Sequence, residues 1–150
     1  MPGQSLKSEE NLILVPVSAG ELIDKITILE LKRKYCKGIS LANVQYELHL
    51  LLNVLDNANA NYSCANNGKQ MVDPELTNQL QIINTELWHT ENKIREHGEN
   101  TSFDGDFIQL AKQVYKLNDE RHKLKMAINL STGSSIIEEK SYDSASKSIN

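Results

Sequence analysis

At 150 residues the chain is sized for one domain, and 39% hydrophobic with 24% charged residues is the balance of a folded globular protein. A formal charge of −4 argues against nucleic-acid binding, which needs clustered Lys and Arg. No apolar run nears the roughly 20 residues of a membrane span, and no block of like charge would attract an anionic membrane.

Met1 to Asn11 is a polar tail carrying Glu9 and Glu10, without an apolar signal-peptide core, so a cytoplasmic protein is expected. Cys36 and Cys64 have neither zinc-ligand nor disulfide-framework spacing and read as free thiols. The sequons at Asn61, Asn100 and Asn129 read as chance products of an Asn-rich chain.

Leu12 to Val17 reads as a short strand, confined to an edge by Pro16. Ser18-Ala-Gly-Glu21 is a capping-box pattern that opens helix one, which runs to about Cys36 and stops at Lys37-Gly38. Ser40 would cap helix two, whose seam is Leu41, Val44, Leu48, Leu51 and Leu55. Residues 57–72 are Asn-rich and read as a loop. Asp73 and Pro74 open helix three, with a seam of Leu76, Leu80, Ile83, Leu87 and Ile94 closed by Gly98. Helix four starts near Asp104 to Asp106, carries Phe107, Leu110, Val114, Leu117, Leu124 and Ile128, and ends before Gly133. Ser135 to Lys140 reads as a second short strand able to pair with Leu12 to Val17. The expected architecture is therefore all-α, four helices in antiparallel hairpins or a bundle with a minor two-stranded pairing. It occupies residues 12–140, with a disordered Ser-rich tail over 141–150.

Helix one differs from the rest. Leu22, Ile23, Ile26 and Leu29 share one face at 100° per residue, while Ile28, Leu31 and Tyr35 make another. A helix apolar on two sides is central, or is covered on its second side by a partner chain. Self-association or a protein partner is expected on that ground.

Two charges stand where the pattern demands apolar residues. Arg121 takes the seam slot between Leu117 and Leu124, beside Asn118 and Lys125, and Asp24 falls in the second apolar face of helix one. A buried charge must be paired. Asp24 is the first candidate partner for Arg121 and Glu91 the second. One consequence is a structural ion pair that fixes helix register; the other is a small-anion pocket lined by Arg121, Lys125, Lys25 and Lys32.

A carboxylate-bridged metal site fits the bundle class, and Glu86-x-x-His89 and Asp119-x-x-His122 have the spacing. All four point off their seams, so no metal site is assigned. There is no phosphate loop, nucleophile elbow or His-Glu-x-x-His motif, and no catalytic residue or cofactor is indicated.

Three blocks together carry a resemblance: Pro16-Val-Ser-Ala-Gly-Glu-Leu-Ile-Asp-Lys-Ile-Thr-Ile-Leu29, Asn118-Asp-Glu-Arg-His-Lys-Leu-Lys-Met-Ala-Ile-Asn129 and Glu138-Glu-Lys-Ser-Tyr142, with Leu87-Trp-His-Thr-Glu-Asn-Lys-Ile-Arg95 beside them. They resemble a family of small bacterial and phage proteins classed only as a domain of unknown function. The resemblance implies a surface-polysaccharide or glycosyltransferase context and no activity. Its blocks hold the candidate residues Asp24, Lys25, Lys32, Glu91, Arg95, Asn118, Arg121 and Lys125. The expectation is a non-enzymatic interaction or oligomerisation module accessory to such pathways. The alternative is a small enzyme or sensor holding an anionic metabolite between helices, comparable to chorismate mutases in fold alone.

Overall fold

Four helices carry the chain: α1 (Ala19–Tyr35), α2 (Gly38–Ala65), α3 (Pro74–Glu99) and α4 (Gly105–Thr132). The computed structural model describes residues 11–99 and 104–140. The expected tails before residue 11 and from 141 onward, with the Asn100 sequon, lie outside the described residues.

The helix starts follow their capping residues. Ser18 caps α1 by accepting from the Glu21 N–H at 3.1 Å. Asp73 accepts from the Glu75 N–H at 2.9 Å, and Asp104 from the Phe107 N–H at 3.1 Å. Gly133, with φ +68, ends α4 in the left-handed conformation that favours glycine. The start of α2 departs from expectation: it begins at Gly38 (φ +57) after Lys37, with no side-chain cap, so Ser40 lies inside the helix. α3 likewise continues past Gly98 to Glu99.

The Asn-rich stretch is the larger difference. α2 runs on through Asn57–Ala65, leaving 66–73 as the connection to α3. Asn costs only a fraction of a kcal/mol per position in a helix, about 0.7 at most, and an existing helix extends without a new nucleation cost. The expected strand pairing is also absent, because there is no strand among the described residues. Leu12 to Val17 is exposed and makes no ladder, and its Pro16 has no N–H to give one. The two terminal segments meet instead through side chains around Ser18.

Packing is layered. α1 lies between α2 on one side and the α3–α4 hairpin on the other, and among the helices α2 packs only on α1. Leu22, Ile26 and Leu29 face Leu48 of α2, backed by Val44, Leu51, Leu52 and Leu55. Ile23 turns the other way, to Leu80 of α3, Ile128 of α4 and Val72 of the preceding connection. On the second face of α1 Leu31 is buried within the chain and Ile28 half-buried, while Tyr35 stays 51% exposed. Among the described residues, no helix is long and apolar enough to cross a membrane.

Candidate functional site

Asp24 is 1% exposed, and a carboxylate that deep needs several donors to offset its lost hydration. Arg121 of α4 supplies two, Nε at 2.9 Å from Oδ1 and Nη2 on Oδ2. Asn84 of α3 adds a third, donating to Oδ1 at 2.9 Å and also to Thr27 Oγ1 at 2.9 Å. Thr27 in turn donates to the Asp24 carbonyl at 2.8 Å. Arg121 Nη1 reaches Asn118 Oδ1 at 3.5 Å. The hydrogen-bonded Asp24 carboxylate holds the guanidinium above its ordinary pKa despite burial, so Arg121 stays charged. One buried carboxylate thereby ties together the three helices α1, α3 and α4.

One turn along α4, Lys125 donates to Glu21 at 2.5 Å and to Glu138 at 2.7 Å, with Asp24 4.0 Å away. Burial lowers the Lys125 ammonium, but the hydrogen bonds it donates to Glu138 and Glu21 outweigh that and the net shift is upward. Glu138 also accepts from Ser18 Oγ at 2.6 Å. Glu21 therefore does not reach back to complete a capping box. Its carboxylate goes to α4 while Ser18 still caps the helix.

The N-terminus of α1 is closed to ligands. Its first N–H groups are taken by Ser134 Oγ (Ala19, 3.4 Å), Asn129 Oδ1 (Gly20, 2.6 Å) and Ser18 Oγ (Glu21, 3.1 Å). Gly20 fits because it lacks a Cβ: one built there would lie 2.5 Å from the Lys125 carbonyl oxygen and 2.8 Å from Asn129 Oδ1.

The eight candidate residues separate into groups. Asp24, Asn118, Arg121 and Lys125 come together. Lys25 points to α2 and pairs with Glu47 at 2.7 Å, away from any pocket containing Arg121. Glu91 forms no ion pair with Arg121 and acts on it only as a nearby negative charge; it lies 3.7 Å from Arg95 in an exposed pair one turn apart. Lys32 pairs with no carboxylate among the described residues. Around Lys125 and Arg121, three carboxylates (Asp24, Glu21, Glu138) face two cations. A free anion beside Lys125, where Glu21 and Glu138 both face the ammonium, would meet net negative charge, so the Lys125 end of the network serves to clamp α1 and residue 138 to α4.

Two clefts of about 350 Å³ each flank Arg121. The first lies between α4 and residues 138–140, where Lys140 also holds Asp119 at 2.5 Å. The second opens between α1, α3 and α4 and takes in Lys32, Asn84, Trp88, Glu91, Asn92, Arg95 and Arg121. Trp88 is stacked on Tyr35, with ring centroids 5.4 Å apart.

Sequence reasoning missed Asn84, Thr27, Glu138 and the Gly20–Asn129 contact. Asn84 had a legible signal, since it sits between Leu80 and Leu87 on the seam of α3 and is 4% exposed. Glu138 had no periodic signal, because it follows the last helix; only its place in the Glu138–Tyr142 block pointed to it. Of the rejected metal candidates, Glu86 and His89 are exposed and Asp119 is held by Lys140. Among the described residues there is no group of three metal-ligating side chains.

Against this geometry, residues 13–149 match the model of a family of unknown function, DUF6165, and the chain belongs to that family. No curated protein and no solved structure matches it.

Proposed function

We propose that this protein is a non-enzymatic helical module that pairs with a second copy of itself through the outer face of α2. The supporting observation is a second apolar stripe on that helix. At 100° per residue Ile39, Tyr46, Leu50 and Val54 fall within an arc of about 80°, shared with the uncharged Asn43, Asn57 and Asn61 and opposite the Leu48 face that packs on α1. Ile39 is 83% exposed, Tyr46 51% and Val54 52%, and no other helix touches α2. Glu47 and Asp56 are the only charged residues from Gly38 to Ala65, and Glu47 is paired with Lys25. Surface helices are normally charged; apolar stripes depleted of charge and carrying Tyr are characteristic of interfaces.

A second copy is favoured because the stripe is self-complementary. In an antiparallel pair centred on Leu48, Tyr46 of each copy meets Leu50 of the other, giving an isologous two-fold contact without like-charge repulsion. The two free cysteines support a cytoplasmic setting, and the net charge of −4 supports a protein rather than a nucleic-acid partner. The family resemblance is what supports an accessory role beside surface-polysaccharide enzymes.

Light scattering of the wild type and of Leu50→Lys tests the reading. Expected is a dimer for the wild type and a folded monomer for the variant; a wild-type monomer at about 100 µM overturns it.

A further inference from the structure

We infer that the cleft between α1, α3 and α4 is a binding site for a small organic anion, a phosphate or carboxylate head on a compact body with hydrogen-bonding groups and an apolar face. The site is distinct from the Lys125 clamp. Its three cations come from separate helices: Lys32 from α1, Arg95 from α3 and Arg121 from α4. Lys32 lacks a carboxylate partner among the described residues. Arg95 is held only by Glu91 at 3.7 Å, in a pair whose side chains are 72% and 47% exposed. An exposed pair of that kind is worth little and yields readily to a better anion.

Arg121 is the fixed element. A guanidinium has five N–H donors, and Asp24 with Asn118 takes three, leaving one on each terminal nitrogen. Its anchoring by a buried carboxylate means little side-chain entropy is lost when a ligand arrives. Charges sum favourably here, unlike around Lys125. Asp24 cancels Arg121, Glu91 cancels Arg95, and Lys32 leaves one net positive charge.

The walls match a body rather than a bare ion. Trp88, held by its stack on Tyr35, and Leu87 supply apolar surface, while Asn84 and Asn92 bring amides. A volume of about 350 Å³ sits at the low end of small-molecule pockets, which run from about 300 Å³ upward.

Trp88 is the sole tryptophan, so its emission reports this cleft alone. The probes are glucose 6-phosphate for a phosphate head, glucuronate for a carboxylate head, and inorganic phosphate for charge without a body. Expected is a saturable emission change with one of the organic probes, weakened about tenfold by Lys32→Gln and by Arg95→Gln and unchanged by Lys25→Gln. Which organic probe binds more tightly identifies the head. No saturable change with either at about 5 mM overturns the site, as does an affinity indifferent to both cleft variants. Equal binding of inorganic phosphate overturns the organic body. Leu50→Lys leaves the titration unchanged, so this test succeeds or fails independently of self-association through α2.

Discussion

Arg121 lays Nε and Nη2 along the two carboxylate oxygens of Asp24, a residue 97 positions earlier in the chain. The carboxylate is 2% exposed at its side chain and the guanidinium 29%. Such a pair adds little over an apolar replacement of both members, yet breaking it from one side leaves a buried charge uncompensated. Arg121→Leu is therefore expected to destabilise the protein by about 3 kcal/mol in urea denaturation, at the low end because Asn84 still donates to Asp24. Adding Asp24→Leu should restore about 2 kcal/mol or more. Additive losses in the double variant would rule out direct coupling.

Gly20 reverses an ordinary rule. Gly to Ala near the start of an exposed helix stabilises by up to about 1 kcal/mol. Here the added methyl would sit 2.5 Å from the Lys125 carbonyl oxygen, backbone that cannot swing aside. Gly20→Ala should lose about 2 kcal/mol as α1 and α4 are forced apart. A denaturation midpoint equal to or above wild type would show that the two helices do not approach this closely.

Much of this arrangement is legible in the amino-acid sequence. Ser18, the Asp73-Pro74 pair, Asp104 and Gly133 mark helix ends through local chemistry, which is why those boundaries hold. The Asp24–Arg121 pair was legible because both charges interrupt an apolar period, and each needs the other. The extent of α2 was not, because Asn composition suggests a loop while the helix propagates from the Leu48 core. The second face of α1 left two readings open, a central helix or a partner chain, and packing on α2, α3 and α4 makes α1 the central helix. The unpartnered second face belongs to α2, and only packing order reveals that. The role of Glu138 was not legible, although it stands in a block of the family resemblance, because no periodicity links a residue outside the helices to Ser18 and Lys125.

Acid should release residues 134–140 before the helices unfold. Burial raises the Glu138 carboxyl, but hydrogen bonds from Lys125 and Ser18 outweigh it, and the group lies below its ordinary value of 4.5. A depressed carboxyl contributes stability that is full above its unfolded value and lost as pH falls through the folded one. The contribution is thus complete at neutral pH, begins to decline near 4.5, and disappears below the lowered folded value. Amide exchange at Ser134, whose N–H donates to the Asn129 carbonyl at 2.9 Å, and at Ala19, whose N–H donates to Ser134 Oγ at 3.4 Å, should accelerate relative to the interior of α1 across that window. Glu138→Gln should exchange fast at every pH; protection that persists in this variant would mean that other contacts hold the segment.

Self-association through α2 has a thermodynamic signature separate from size. A partner that binds only the folded state stabilises it by mass action, so the melting temperature of an α2-paired dimer rises with protein concentration. Tyr46→Glu and Leu50→Lys place charge on the stripe without touching Leu48 or its contacts with α1. Each should abolish the concentration dependence; the low-concentration melting temperature stays nearly unchanged for the exposed Tyr46, where substitution is tolerated within about 0.5 kcal/mol, and falls somewhat more for the half-buried Leu50. Val44→Lys makes the contrast, because it strikes the α1-facing side and should lower the melting temperature at every concentration. If the stripe variants behave like Val44→Lys, the outer face of α2 is needed for folding itself. If wild type melts at one temperature across a hundredfold dilution, as judged by calorimetry, the stripe is not an interface between copies of this chain.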